Sequence, residues 1–186
     1  MNTELFRHRR KSWMEIGEIF FWTATINRWQ KLLWPDGYKD IIIDSFDFLS
    51  NARKIDVFGF VIMPTHLHLI WRTLALNGKE TPQGSFLKFT AHEFRKMLYR
   101  EDRRKLLSYQ TNAENKKHEF WQRDPLAIKL YSRKAAFQKL DYIHYNPLAE
   151  HWQVVKDPCD YKYSSARYYE MNEKNFSFLK DLRDEF

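Results

Sequence analysis

The chain has 186 residues, 44% of them hydrophobic and 30% charged, the make-up of a soluble globular protein with room for one real core. Its single cysteine, Cys159, excludes an intrachain disulfide, a cysteine-rich zinc site and a redox pair, and no run approaches the ~18 apolar residues that span a bilayer. A formal charge of +7 favours an anionic partner without establishing one.

Met1 to Lys11 gathers Arg7, Arg9, Arg10 and Lys11 with no apolar run of the signal-peptide kind, so a cytoplasmic protein is expected. Ile19 to Ile26 is β-branched and aromatic and predicts a buried strand, followed by a loop over Asn27 to Gly37. Ile41, Ile42, Phe46 and Leu49 recur at helical spacing within Tyr38 to Asn51. Lys54 to Ile62 is the next strand, and Pro64-Thr65 turns it into another over His66 to Arg72. Thr81 or Ser85 can cap a helix running to about Leu98, with Phe86, Phe89, Phe94, Met97 and Leu98 facing the core and Lys88, Arg95, Lys96 and Arg100 on the other side. Glu101 to Lys117 is polar enough to be an exposed connection with at most a short helix. A last strand falls within His118 to Tyr131, interrupted by Pro125, and a helix starts near Ser132. The order predicts an α+β, ferredoxin-like split βαβ sandwich, an antiparallel sheet with helices on one face, plus an additional C-terminal helix that bears Tyr142. One domain over 1–186 is expected, its core at about 18–152 and its aromatic tail, 153–186, packed on that core.

The chemistry concentrates in two places. In the strand Met63-Pro64-Thr65-His66-Leu67-His68-Leu69, residues two apart share a face, so His66 and His68 present two imidazoles together while Leu67 and Leu69 turn to the core. Two such histidines suit a metal, although the same pattern also describes two surface histidines. In Leu140-Asp141-Tyr142-Ile143-His144-Tyr145-Asn146-Pro147, helical spacing puts Tyr142 and Asn146 on one face, with Tyr145 rotated by about 100° and His144 on roughly the opposite side. A helical tyrosine is commonly just a packed one; together with the histidine pair it suggests a metal-assisted nucleophile.

With these residues the sequence resembles the single-tyrosine HUH transposases, in particular the REP-associated tyrosine transposases. The resemblance rests on His66-Leu67-His68 and the helix around Tyr142. It is supported by Ser85-Phe86-Leu87-Lys88-Phe89-Thr90, Phe120-Trp121-Gln122, Tyr142-Ile143-His144-Tyr145-Asn146-Pro147 and Tyr161-Lys162-Tyr163-Ser164-Ser165-Ala166-Arg167, in the family's order from about Ile19 to Tyr169. It implies an endonuclease and strand transferase acting on single-stranded DNA at a hairpin or repeated palindrome. It further implies Mg²⁺ or Mn²⁺ held by His66, His68 and Asn146, and Tyr142 as the nucleophile that forms a 5′-phosphotyrosine. Asn146 stands where insertion-sequence members often carry Gln, as in the REP-associated group. Arg7, Arg9, Arg10 and Lys11 are then candidates for holding a hairpin or its flank, and Lys88, Arg95, Lys96 and Arg100 for a phosphate track that reads equally as a solvated face. Trp71 and Trp121 are the candidate stacking aromatics. A homodimer and a monomer both stay open, as do two other functions: a non-catalytic nucleic-acid binder on the same fold, and a hydrolase in which the histidine-bound metal activates water.

Overall fold

The computed structural model describes residues 14–113 and 117–186. Strands β1 (Ile19–Thr25), β2 (Ile55–Ile62), β3 (His66–Thr73) and β4 (Leu126–Lys129) form a four-stranded sheet in the order β2-β3-β1-β4. Every neighbouring pair is antiparallel. Helix α1 (Asp36–Asn51) joins β1 to β2 and α2 (Pro82–Glu101) lies between β3 and β4, so β3 is inserted between two parallel strands in the split βαβ manner.

The pleat of β1 and β3 sorts the side chains. Trp22, Ala24, Leu67, Leu69 and Trp71 pack in one cluster with Ile42, Phe46 and Leu49 of α1 and Phe86, Phe94 and Leu98 of α2. Five of those are large rings, and each such side chain withdrawn from water contributes about 1.5–3 kcal/mol before entropy is charged against it. Thr81 caps α2, its hydroxyl accepting from the Gly84 amide at 3.2 Å, and Pro82 occupies the first turn, where its missing N–H costs nothing.

The opposite face of the sheet is covered as well. Helix α4 (Arg133–Tyr145), capped by the Ser132 hydroxyl accepting from the Ala135 amide at 3.3 Å, packs over β2 and β3 through Ala136, Leu140 and Ile143. A bulge between Val57 and Gly59 lets Phe58 join this second cluster, and Gly59 lies under Leu140 so closely that a Cβ there would stand 2.6 Å from Leu140 Cδ1.

The outer edge of β2 does not face solvent bare. Ser165 donates its amide to Phe60 O and Ile62 donates to Tyr163 O, both at 3.0 Å, and farther along Lys180 donates to Val57 O at 2.9 Å. The segments around Tyr163 and Leu179 thereby occupy an edge that would otherwise invite pairing with another chain. Phe178 and Leu179 enter the first cluster and Leu182 the second.

Several boundaries differ from expectation. The Asn27 to Gly37 loop opens with a 3₁₀ turn, buries Leu32 and Leu33 completely, and ends two residues earlier than expected because Asp36 already begins α1 behind Pro35. The connection after α2 contains the short helix its sequence allows, α3 (Arg103–Leu107), but is not wholly exposed: Leu106 and Tyr109 are buried, with the Tyr109 and Phe120 rings 4.8 Å apart. The last strand is only four residues long, preceded by an isolated Ile26–Trp121 bridge, since Pro125 has no amide to give. Phe89, expected in the core, is exposed.

Candidate active site

The tight turn at Pro64-Thr65 is closed by the Met63 amide on His66 O at 2.8 Å and pinned by Ile26 donating to Thr65 O at 2.7 Å. From it β3 runs with His66 opposite Thr25 and His68 opposite Thr23 on β1, all on the α4 side of the sheet. The two imidazoles lie 4.7 Å apart between ring centres and are each only 6% exposed. Trp152 closes over His66 at 5.9 Å, and Phe21 stacks on His68 at 5.3 Å.

Burial sets their protonation. The His66 imidazole is pushed down to about 4 by desolvation, against the neighbouring Asn146 amide and with the help of the His151 charge. His68 is pushed down to about 3, again by desolvation first and then by the charges of His66 and Lys139. Both are therefore neutral at pH 7, the state that ligates a metal. Their Nδ1 atoms are engaged with hydroxyls, His66 with Thr65 Oγ1 at 3.0 Å and His68 with Thr23 Oγ1 at 2.8 Å. If each Nδ1–H donates to its threonine, each Nε2 is left with a free lone pair.

A cleft of about 330 Å³ opens over the pair, lined among others by Tyr142, Tyr145, Asn146 and His151. His66, His68, Tyr142 and Asn146 are thus brought together, although His68 and Tyr142 stand 74 positions apart in the sequence. The Tyr142 ring lies 5.2 Å from that of His68, and the residue is 49% exposed, unlike a tyrosine packed for stability. Tyr145 lines the same cleft, yet among the described residues its ring contacts neither histidine. Two buried polar atoms here have no hydrogen-bond partner, His68 Nε2 and Asn146 Oδ1. Such atoms are costly unless something else satisfies them, and a lone pair on an imidazole beside an amide oxygen is a donor set that fits a divalent cation. Among the described residues no three His, Cys, Asp or Glu side chains converge, so a third ligand has to be of another kind, as Asn146 is.

The remaining candidates lie elsewhere. Lys88, Arg95, Lys96 and Arg100 are exposed on α2, which covers the sheet face opposite the histidines. Two of them already hold carboxylates, Lys88 with Glu80 at 2.6 Å and Lys96 with Glu93 at 2.8 Å. Arg7, Arg9, Arg10 and Lys11 fall outside the described residues. Trp71 and Trp121 are buried in the first cluster and offer no ring for stacking: Trp71 shares its parity with Leu67 and Leu69, and the Trp121 indole donates to Thr90 Oγ1 at 2.9 Å. His144 is a packing residue, its Nε2 2.9 Å from Ser165 Oγ and its imidazole pushed down to about 4 by burial. Thr23, Thr65, His151 and the exposed Trp29 belong to the surroundings of the cleft, and no spacing in the sequence pointed to them.

No family model matches the sequence, and no curated protein matches it. Among solved structures, the chain is similar to a REP-associated tyrosine transposase bound to a REP hairpin, with 20% identity and a TM-score of 0.57 over 83% of this chain and 80% of that one. A structure described as a candidate transposase of Deinococcus radiodurans R1 aligns with 15% identity over 70% of this chain and 95% of that one, at a TM-score of 0.41 that is too low to argue from. In fold, then, the chain is like a REP-associated tyrosine transposase.

Proposed function

We propose that this protein is a metal-dependent nicking and rejoining enzyme for single-stranded DNA, transposase-like in its chemistry, with Tyr142 as nucleophile and hairpin-forming DNA as substrate. The observation that carries the reading is the pair of buried, unpartnered atoms His68 Nε2 and Asn146 Oδ1 in the cleft that Tyr142 lines. The likeness in fold to a transposase bound to a REP hairpin supports it.

In this reading His66, His68 and Asn146 hold Mg²⁺ or Mn²⁺, and the two imidazole donors suit Mn²⁺ better than the oxygen-preferring Mg²⁺. Bound there, the ion would polarise the scissile phosphate and offset the charge that builds up on it. The chain supplies the rest. Thr23 and Thr65 orient the imidazoles, Phe21 and His68 hold the Tyr142 ring through edge contacts at 6.0 and 5.2 Å, and Trp152 screens His66 from water. Attack of Tyr142 Oη on phosphorus forms the Oη–P bond and breaks the P–O3′ bond, with the phenolic proton leaving Oη and a proton delivered to O3′. A 5′-phosphotyrosine and a free 3′-hydroxyl result, and the reverse step with another 3′-hydroxyl rejoins DNA without a nucleotide cofactor.

The test uses labelled hairpin DNAs with single-stranded flanks, incubated with protein and Mn²⁺. His66→Ala with His68→Ala should abolish nicking while DNA affinity stays within a few fold, because the metal acts on the transition state and the basic surface on the ground state. Asn146→Ala should be milder, water replacing one amide oxygen. Full cleavage by the folded double variant would contradict the proposal. Binding without any metal-dependent product would instead indicate a non-catalytic binder, and cleavage that leaves no strand on the protein would indicate a hydrolase.

A further inference from the structure

Beside the histidine cleft lies a second one, of about 320 Å³. The two share Thr23, Trp29, His68 and Tyr142, and the second continues over Gln122, Arg123, Asp124 and Lys139. Trp29 stands where they meet. It is 59% exposed, its ring centre is 5.9 Å from that of His66, and both it and Arg28 hold left-handed backbone, with φ of 56° and 57°. Non-glycine residues adopt that region at a cost, and two in succession persist only where the surroundings impose it. Here Asn27 imposes it, donating its amide to Phe120 O at 2.7 Å and its Nδ2 to Glu119 O at 3.1 Å, while Trp29 donates to Ile26 O at 2.9 Å. A large apolar ring held out in water by a strained turn, at the border of two clefts, serves a ligand better than it serves packing.

Lys139 supplies the complementary charge. One turn ahead of Tyr142 on α4, its Nζ sits 4.7 Å from the Phe21 ring and 5.4 Å from that of Tyr142. Among the described residues it forms no ion pair, unlike Lys88, Lys96 or Lys129. A flat apolar face and an uncompensated cation a short way apart match the two halves of a nucleotide, a base and a phosphate.

We propose that the second cleft holds one nucleotide of single-stranded DNA, its base stacked on Trp29 and its phosphate at Lys139, adjoining the phosphate presented to His66 and His68. The assignment rests on the nicking function proposed above. Stacking on a tryptophan tolerates any base, so this subsite fixes the path of the strand more than it reads sequence.

The experiment needs neither metal nor cleavage. A single-stranded oligothymidylate carrying one 5-iododeoxyuridine is irradiated with the metal-free protein and the crosslink mapped by mass spectrometry, and affinities are measured for variants whose folding is checked by thermal melts. The crosslink should fall on Trp29. Trp29→Ala should weaken binding about tenfold, Trp29→Phe should restore it to within about threefold, and Trp34→Ala, an exposed tryptophan outside both clefts, should change nothing. Lys139→Met should weaken binding and flatten its salt dependence by about 0.7 in log–log slope. Crosslinks confined to other residues, or a Trp29→Ala affinity within about twofold of the wild type, would overturn the subsite even in a protein that nicks hairpins normally. A Trp29 crosslink in a protein that never nicks would leave the subsite and remove the nicking function, and no measurable oligothymidylate binding would overturn the subsite alone.

Discussion

At the scale of single residues, the proposed metal site involves two threonines as much as the histidines they touch. Thr23 Oγ1 at 2.8 Å from His68 Nδ1 holds the ring's orientation and, with Nδ1–H as the donor, leaves Nε2 free. Thr23→Val preserves shape and removes the hydroxyl, so Mn²⁺ affinity should fall about 10- to 100-fold with little change in fold. Calorimetric titration with Mn²⁺ checks this, and an unchanged affinity would mean that the tautomer is set by something else. His66 and His68 were legible from spacing because a strand's period of two is rigid. Thr23 was not, because nothing in a sequence states that β1 and β3 pair with Thr23 opposite His68. The same parity argument that found the histidines excludes Trp71 as a stacking residue, since it follows Leu67 and Leu69 onto the core side. Trp29 escaped notice because its exposure comes from a turn whose partners, Glu119 and Phe120, are some ninety residues away.

At the scale of elements, α4 carries Tyr142 and is seated by a close approach to β2. Gly59 is what permits that approach, a Cβ there standing 2.6 Å from Leu140 Cδ1. Gly59→Ala should cost about 1–3 kcal/mol through overpacking, and the displacement of α4 should slow nicking more than it weakens DNA binding. Denaturant unfolding with parallel nicking and binding assays would reveal this, and a neutral substitution would show that Leu140 simply swings aside. Helix α2 poses the opposite question, since its cations lie across the sheet from the cleft. If they hold the hairpin, neutralising Lys88, Arg95 and Lys96 together should lower affinity and reduce the log–log salt slope by about 0.9 per lost phosphate contact, while DNA already bound is nicked at the normal rate. An unchanged slope would leave them a solvated face. Helix cores and strand centres were legible because apolar spacing there matches burial. The burial of Leu106 and Tyr109 beyond α2 was not, since the composition around them is that of solvent-facing chain.

For the molecule as a whole, the sheet divides labour between its faces. One face, under α1 and α2, is an aromatic core, while the other carries the histidines, α4 and the clefts. The end of the chain braces both. Arg72 on β3 binds Asp56 on β2 at 2.7 Å and Glu185 at 2.7 Å, Lys180 reaches Asp56 at 2.5 Å, and Leu182 is fully buried. The strand order followed from the succession of elements, but the docking of the tail along β2 did not, because backbone pairing at an edge leaves little trace in side-chain pattern. In the proposed function this scaffold aims one phenol at a phosphodiester, and Tyr142→Phe removes a single oxygen from it. With Mn²⁺ and labelled hairpin DNA, the wild-type protein should give a denaturation-resistant adduct that maps by mass spectrometry to Tyr142. The folded, DNA-binding Tyr142→Phe variant should give neither adduct nor nick, and Tyr145→Phe should retain both. An adduct on any other tyrosine, or undiminished nicking without Tyr142, would contradict the account.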